Sequence, residues 1–270
     1  MDSAGLIPSL TDLVAVVKRI GDEVVLPHFT RVGYTRKADG SVLTEVDLQA
    51  QEALREALTN IADCPLLGEE MTAEEQMRQW EAGRDGLWCV DPVDGTSNFV
   101  SGIPYFAVSV AWMWRGKPLL GVIYAPAVKE MFSAQAGQGA WLNGKKLPLS
   151  APASTLTEAI AGIDFKRLSL PLAAKLVGAP PYHSQRNLGS CALDWCYVAS
   201  GQFDLYLHGG QYLWDYAAGC LILQEAGGTM STLFSPDFWE GDVRRKSVVA
   251  ASNDFLWKEW RAAIGEVGSQ

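Results

Sequence analysis

Three groups of acidic side chains stand where apolar, strand-like runs end, and they are the residues best placed to do chemistry. They are Glu69-Glu70 closing CPLLGEE (64–70), Asp91 and Asp94 in DPVDGT (91–96), and Asp215 in WDYAAG (214–219). Each has an ordinary structural explanation: a solvated strand end, an Asp-Gly turn at Asp94-Gly95, and an N-cap for a helix starting at Tyr216. Together they point elsewhere. Trp88, Cys89 and Val90 lead Asp91 out of a buried strand, Pro92 stiffens the turn carrying Asp94, and Ala217, Ala218 and Gly219 let a helix pack closely behind Asp215. Carboxylates in such half-buried settings need a counter-charge, and no Lys or Arg lies near Asp91, Asp94 or Asp215 in sequence. Divalent cations are the remaining partners. Oxygen-only donors select hard ions, and Mg²⁺ combines a few carboxylates with water and phosphate oxygens. Four carboxylates and a phosphate dianion carry about six negative charges, which about three Mg²⁺ would cancel. A helix starting at Gly95-Thr96 would add free amides to meet a phosphate, with glycine allowing close approach.

The elements that must position these acids are legible in outline. Leu10, Leu13, Val14, Val17, Ile20, Val24 and Val25 recur at helical spacing until Pro27. A second helix is expected from Thr44, whose hydroxyl can cap the first amides with Asp47 three residues in; Leu54, Leu58 and Ile61 mark its buried side. Strands are expected at 64–70, 86–95, 105–114, 119–124 and 129–134, followed by a hairpin turning at Asn143-Gly144 within GQGAWLNGKKL (137–147). That segment is no dinucleotide fingerprint, because Leu142 occupies the third glycine position. Ser150 to Thr155 reads as a linker, dividing an N-terminal α+β domain (1–149) from a C-terminal α/β domain (150–270). Beyond the linker, strands at 160–165 and 203–208 alternate with helices at 170–177, 192–200 and 216–226, a layered α/β pattern.

The 270 residues carry 22 basic and 31 acidic side chains, net −9, and a pI near 4.9 without a basic cluster argues against nucleic acid as the main partner. The longest apolar run, 106–114, falls short of the roughly 18 residues of a membrane span, and no secretory signal is visible at the N-terminus. Five cysteines without a CxxC pair are expected as free thiols in a reducing cytoplasm. His28, His183 and His208 lie too far apart for a histidine-built zinc site.

With these residues in view the chain becomes recognisable. WCVDPVDGTSNFVSGIPYFAVSVAW (88–112) resembles the first signature of the inositol monophosphatase family, and WDYAAGCLILQEAGG (214–228) resembles the second; TEVD (44–47), LLGEE (66–70) and GQGAWLNGKKL match in order and spacing. The resemblance spans about Lys37 to Gly228. It implies a five-layered αβαβα sandwich of the kind shared with fructose-1,6-bisphosphatases, a homodimer, and Mg²⁺-dependent hydrolysis of a small phosphorylated metabolite with two to three ions. Carried over by position, Glu69, Asp91 and the Val93 carbonyl would hold one metal; Asp91, Asp94 and Asp215 a second; Glu69 and water a weaker third. Thr96 with Asp47 would orient and deprotonate water for in-line attack on phosphorus, and the Gly95 and Thr96 amides would bind phosphate. Glu70 would support from behind, and Lys37 matches a mobile-loop lysine. The acids also resemble the pattern of lithium-sensitive members.

Substrate residues follow the family less closely. Inositol-preferring members carry a glutamate seven residues before the WD aspartate, where this chain has His208. A histidine cannot offer two carboxylate oxygens to a vicinal diol; it is read either as a substrate ligand or as a surface strand-end residue. Ser190 and Cys191 fall in the substrate-side loop, with Arg186 just upstream. Sugar or polyol phosphates are the expected substrates. Alternatives are a 3′(2′),5′-bisphosphate nucleotide, for whose second phosphate Arg186, Lys166 and Arg167 are candidates, and fructose 1,6-bisphosphate or histidinol phosphate. A non-catalytic interaction protein on this fold would be expected to lack metal acids, and none is missing.

Overall fold

The computed structural model describes residues 7–37 and 40–265; part of the segment read for a secretory signal, 1–6, lies outside them. Helix α1 (Leu10–Ile20) winds on through a π turn at Gly21–Val25 and a 3₁₀ turn at Leu26–His28. A small hairpin, β1 (Tyr34–Arg36) and β2 (Val42–Thr44), leads into α2 (Glu45–Thr59), which Thr44 and Asp47 start as a capping box. Seven strands then form one sheet in chain order: β3 (Leu66–Gly68), β4 (Leu87–Asp94), β5 (Ala107–Trp114), β6 (Lys117–Ala125), β7 (Glu130–Gln135), β8 (Gly139–Leu142) and β9 (Lys145–Lys146). Only the β3–β4 pair is parallel. Helix α3 (Ala73–Ala82) links these two strands, and the one-and-a-half-turn α4 (Thr96–Ser101) follows β4. Asn143 and Gly144, both at positive φ, turn the β8–β9 hairpin as expected.

The second sheet has the order β11 (Ser184–Arg186), β10 (Ile160–Asp164), β12 (Leu205–Tyr212), β14 (Arg245–Ala251), β13 (Thr229–Ser231), parallel across the first three strands and antiparallel beyond. The helices of this half are α5 (Leu170–Gly178), α6 (Cys191–Ser200), α7 (Leu213–Glu225) and α8 (Asp254–Ile264). Three cores hold five layers together, the middle one spanning two interfaces. Leu13, Val17 and Ile20 of α1 and Leu54 and Leu58 of α2 pack with Trp88, Val90, Val108 and Val122 on one face of the large sheet. Leu87, Cys89, Ala111 and Ile123 meet Trp195, Cys196, Ala218 and Leu221 of α6 and α7, whose far side reaches Tyr206 and Ala250 of the small sheet. Ile163, Leu207 and Val249 bury against Leu172 and Leu176 of α5 and Trp260 of α8. The middle core draws on both halves of the chain, because α6 and α7 come after the large sheet in sequence and yet cover it.

Helix α7 shows why small residues are needed there. Every residue from Leu213 to Leu223 except Asp215 is buried, so the helix has no solvent face. A Cβ at Gly121 of β6 would lie 2.8 Å from the Ala218 carbonyl oxygen and 3.1 Å from its Cα. The helix backbone therefore rests directly on the strand. Gly121→Ala should force α7 outward and destabilise the protein by about 1–3 kcal/mol, measured by urea denaturation; an unchanged midpoint would show that the layer is loosely packed.

Candidate active site

Alternation along β4 directs Leu87, Cys89 and Asp91 toward α7, while Trp88 and Val90 face α1 and α2. A regular strand would aim Asp94, three residues on, the opposite way. It does not, because one extra residue intervenes: Asp91 is opposite Ser109 but Asp94 is opposite Ala107. This bulge turns both carboxylates to the same side. Asp215 approaches from α7, where it is the third residue, not the cap of a helix from Tyr216. The helix starts three residues earlier, and Asp215 reaches back to accept from the Tyr212 amide at 2.8 Å. The ligand oxygens of Asp91, Asp94 and Asp215 all lie within 4.8 Å of one another, close enough to hold one metal ion.

Neighbours fix each acid. Asp91 Oδ1 accepts from the Val93 amide at 3.0 Å. Asp94 accepts from the Ser190 hydroxyl and, at 2.7 Å, from the Ala192 amide in the first turn of α6. Asp47, buried, accepts from the Thr44 amide at 2.7 Å. The Thr96 hydroxyl lies 3.0 Å from the Val93 carbonyl and 3.3 Å from Asp47 Oδ1. Gly95, at φ 91°, starts α4; a Cβ there would sit 3.0 Å from the Tyr105 carbonyl. These groups open on a cleft of about 200 Å³ whose walls include Glu69, Asp91, Asp94, Thr96, Arg167 and Asp215. Tyr212 and Trp214, stacked at 4.9 Å, also line it.

Burial raises the pKa of every central acid, and their mutual repulsion adds to it. Asp91 is pushed well up by burial and by Glu69, Asp94 and Asp215; Asp215 rises by burial and by Asp94 and Glu69. Asp94 is pushed by burial to about 6, held from going further by the Ser190 and Ala192 donors. Glu69 and Glu70 have what the other three lack. Lys37 reaches from the hairpin loop to both, at 2.9 and 2.7 Å. Burial and Glu69 still lift Glu70 to about 7.

The remaining expected site residues divide. Ser190 and Cys191 stand at the start of α6, and Cys191 lines the cleft. Arg186 is exposed on β11 and donates to Ser184 and Gln185 of its own strand, outside the cleft lining. His208 is no surface residue: it is 4% exposed within β12, set behind Cys191 with 3.8 Å between Sγ and Nε2. All five cysteines are free. Arg167, one of three basic candidates for a second phosphate, is the one that reaches the cleft wall. No spacing in the sequence announces Arg167 or the Lys37 contacts, because both are made across the fold.

This arrangement defines an α/β protein of the inositol monophosphatase/fructose-1,6-bisphosphatase type. The chain belongs to the inositol monophosphatase family, whose model matches residues 10–267. It is 35% identical over 260 residues to the fructose-1,6-bisphosphatase/inositol-1-monophosphatase of Thermotoga maritima, covering 94% of each chain. It is 38% identical over 202 residues to the Nus factor SuhB of Pseudomonas aeruginosa, covering 70% of this chain and 71% of that protein. Among solved structures, a Thermotoga maritima IMPase superposes with a TM-score of 0.80 at 29% identity, over 96% of this chain and 99% of that one.

The raised carboxyl groups set a pH dependence. Without a divalent cation, the folded state keeps protons on Glu70 up to about 7 and on Asp94 up to about 6, where ordinary values are 4.5 and 3.8. The folded protein binds more protons than the unfolded chain across that interval, so its stability falls as pH rises through it. In EDTA, the thermal midpoint should be lower at about pH 7.5 than at about pH 5, and added divalent cation should remove the difference. A midpoint rising with pH in EDTA would contradict the repulsion.

Proposed function

We infer that the protein is a Mg²⁺-dependent phosphomonoesterase acting on a small phosphorylated sugar or polyol. The observation that carries this reading is the convergence of Asp91, Asp94 and Asp215 within 4.8 Å, with no Lys or Arg paired to any of them among the described residues. The donor set fits the ion: carboxylate oxygens, with Glu69 on the same cleft wall and the Val93 carbonyl beside them, favour a hard cation over zinc or copper. Asp91, Asp94, Asp215, Glu69 and Val93 are the residues that would hold it. When bound, Mg²⁺ lowers the pKa of water and neutralises charge developing on the phosphoryl group.

The protein's own groups supply the rest. Gly95 and Thr96 line the cleft at the start of α4, where their amides could donate to phosphate oxygens. The Thr96 hydroxyl has one proton and two oxygens within reach, on Val93 and Asp47. It can orient a water through its lone pairs while passing its proton toward Asp47. Asp47 is suited to receive it, since burial raises its pKa against the hydrogen bonds from Thr44. Tyr212 and Trp214, stacked on each other, form one side of the cleft.

Asp91→Asn should abolish Mg²⁺-dependent phosphate release, by more than about a hundredfold, with circular dichroism unchanged. The same substitution should raise the thermal midpoint in EDTA, because one of three repelling charges is gone. Near-full Mg²⁺-dependent turnover in this variant would overturn the assignment. Li⁺ should inhibit the wild-type reaction, read as phosphate release at fixed Mg²⁺.

A further inference from the structure

We propose that Asn98 is a positioning residue for the metal site: it clamps the loop at Leu188–Ser190, so that Ser190 and the first turn of α6 hold Asp94 in place as a ligand. The proposal rests on the reading of Asp94 as a metal ligand and adds to it the device that fixes that ligand.

Asn98 is the third residue of α4, 8% exposed and outside the cleft lining. Its Nδ2 donates to two carbonyls, those of Tyr105 and Leu188, both at 2.7 Å. Because both partners are acceptors, the amide has one workable orientation, and each of its two protons serves one carbonyl. Tyr105 stands just ahead of β5 in the large sheet, whereas Leu188, 90 residues from Asn98, lies in the loop before α6. One buried side chain thus ties α4 to segments far apart in the chain.

Two glycines show how closely these segments meet. Gly189, at φ 86°, runs against the amide, and a Cβ there would lie 3.2 Å from Asn98 Nδ2. A Cβ at Gly95 would lie 3.3 Å from the Gly189 carbonyl oxygen, besides its approach to Tyr105. Two residues beyond Leu188 the loop reaches Asp94. The Ser190 hydroxyl accepts from the Leu193 amide at 3.3 Å as the cap of α6, and its single proton goes to Asp94 Oδ2. The Ala192 amide donates to the same oxygen at 2.7 Å. These donors are carried by the loop that Asn98 anchors.

A second tie crosses the same junction without involving the loop. The Tyr105 hydroxyl donates to Asp194 Oδ1 in α6 at 2.9 Å, and its ring meets that of Tyr197 edge-on at 5.2 Å. Removing this hydroxyl loosens α6 against the large sheet yet leaves both Asn98 bonds in place. It separates a role in stability from a role in placing Asp94.

The test titrates Mn²⁺, which suits the same oxygen donors as Mg²⁺, into metal-stripped full-length protein in a calorimeter. The proteins compared are the wild type, Asn98→Ala, Ser190→Ala, Ser190→Thr, the Asn98→Ala/Ser190→Ala pair and Tyr105→Phe. Asn98→Ala and Ser190→Ala should each weaken Mn²⁺ binding about ten- to hundredfold, as loss of a ligand's outer support does. Ser190→Thr, which keeps the hydroxyl, should recover most of that loss. The double variant should fall no more than about twofold below the weaker single variant, because Asn98 acts through Ser190. Tyr105→Phe should lower the thermal midpoint while its Mn²⁺ affinity stays within about twofold of wild type.

Losses that multiply in the double variant would show Asn98 acting by another route and overturn the proposal. So would wild-type affinity in Asn98→Ala, or an equal loss in Tyr105→Phe. Should Asn98→Ala not fold, Gly189→Ala displaces the same loop from the other side and carries the same expectation. If the wild type binds no divalent cation, the reading of Asp94 as a ligand fails and this assignment falls with it. A loss in Ser190→Ala alone leaves that reading standing and removes only the role of Asn98.

Discussion

The structure is organised around a repulsion. Asp91, Asp94 and Asp215 hold their oxygens within 4.8 Å of each other, and Asp91 and Asp94 are buried. Charges of one sign at that separation and partly out of water resist ionisation and push the chain apart. What keeps them together is packing elsewhere. All eight residues of β4 are buried, and so is every residue of α7 from Leu213 to Leu223 except Asp215. Both carriers of the acids are among the most deeply buried elements of the fold, so the repulsion at the site is opposed by the cores on either side.

That requirement explains why the two halves interlock. A pair of acids on one strand could be built within a single sheet, but the third must come from a helix lying flat against it. Helix α7 reaches that place only because Gly121 lets its backbone touch β6. Helix α6 contributes in another way, since its first-turn amide at Ala192 and its capping hydroxyl at Ser190 both donate to Asp94. Partial positive charge at a helix start suits a carboxylate, and here it lies across the layer boundary. Residues 150–155 lie between the two sheets in sequence, yet the middle core draws on both sides of that segment.

Local chemistry is readable where it depends on neighbours in sequence. Thr44 with Asp47, the strand leading into Asp91, and Asn143-Gly144 each carry a short-range signal, and each element forms. Equally short signals lie elsewhere, away from the acids: Thr72 with Glu75 is a capping box for α3, and Asn253 caps α8. Helix α7 begins three residues before the start that Asp215 suggests, because Asp215 reads equally well as a cap and as the third residue reaching back to one. The bulge between Asp91 and Asp94 is hinted at in the sequence only by Pro92. It is a relation between β4 and its partner β5, and only pairing reveals that two acids three residues apart face the same way. The same holds for Lys37 on Glu69 and Glu70, and for Gly209 beneath Arg167.

The cleft also shows why an isolated cation must be anchored to matter. An exposed guanidinium is screened by water and salt, so its field alone attracts little. Its value lies in the fork of donors it presents, and ordering a long side chain or a loose turn would offset most of that gain. Gly209, Asp164 and His208 meet the ordering cost in the folded state by fixing the turn at Phe165–Arg167. With that turn held, only the side chain's own torsions remain free. In a chain of net −9, that cation stands on a rigid support beside the acids of the cleft.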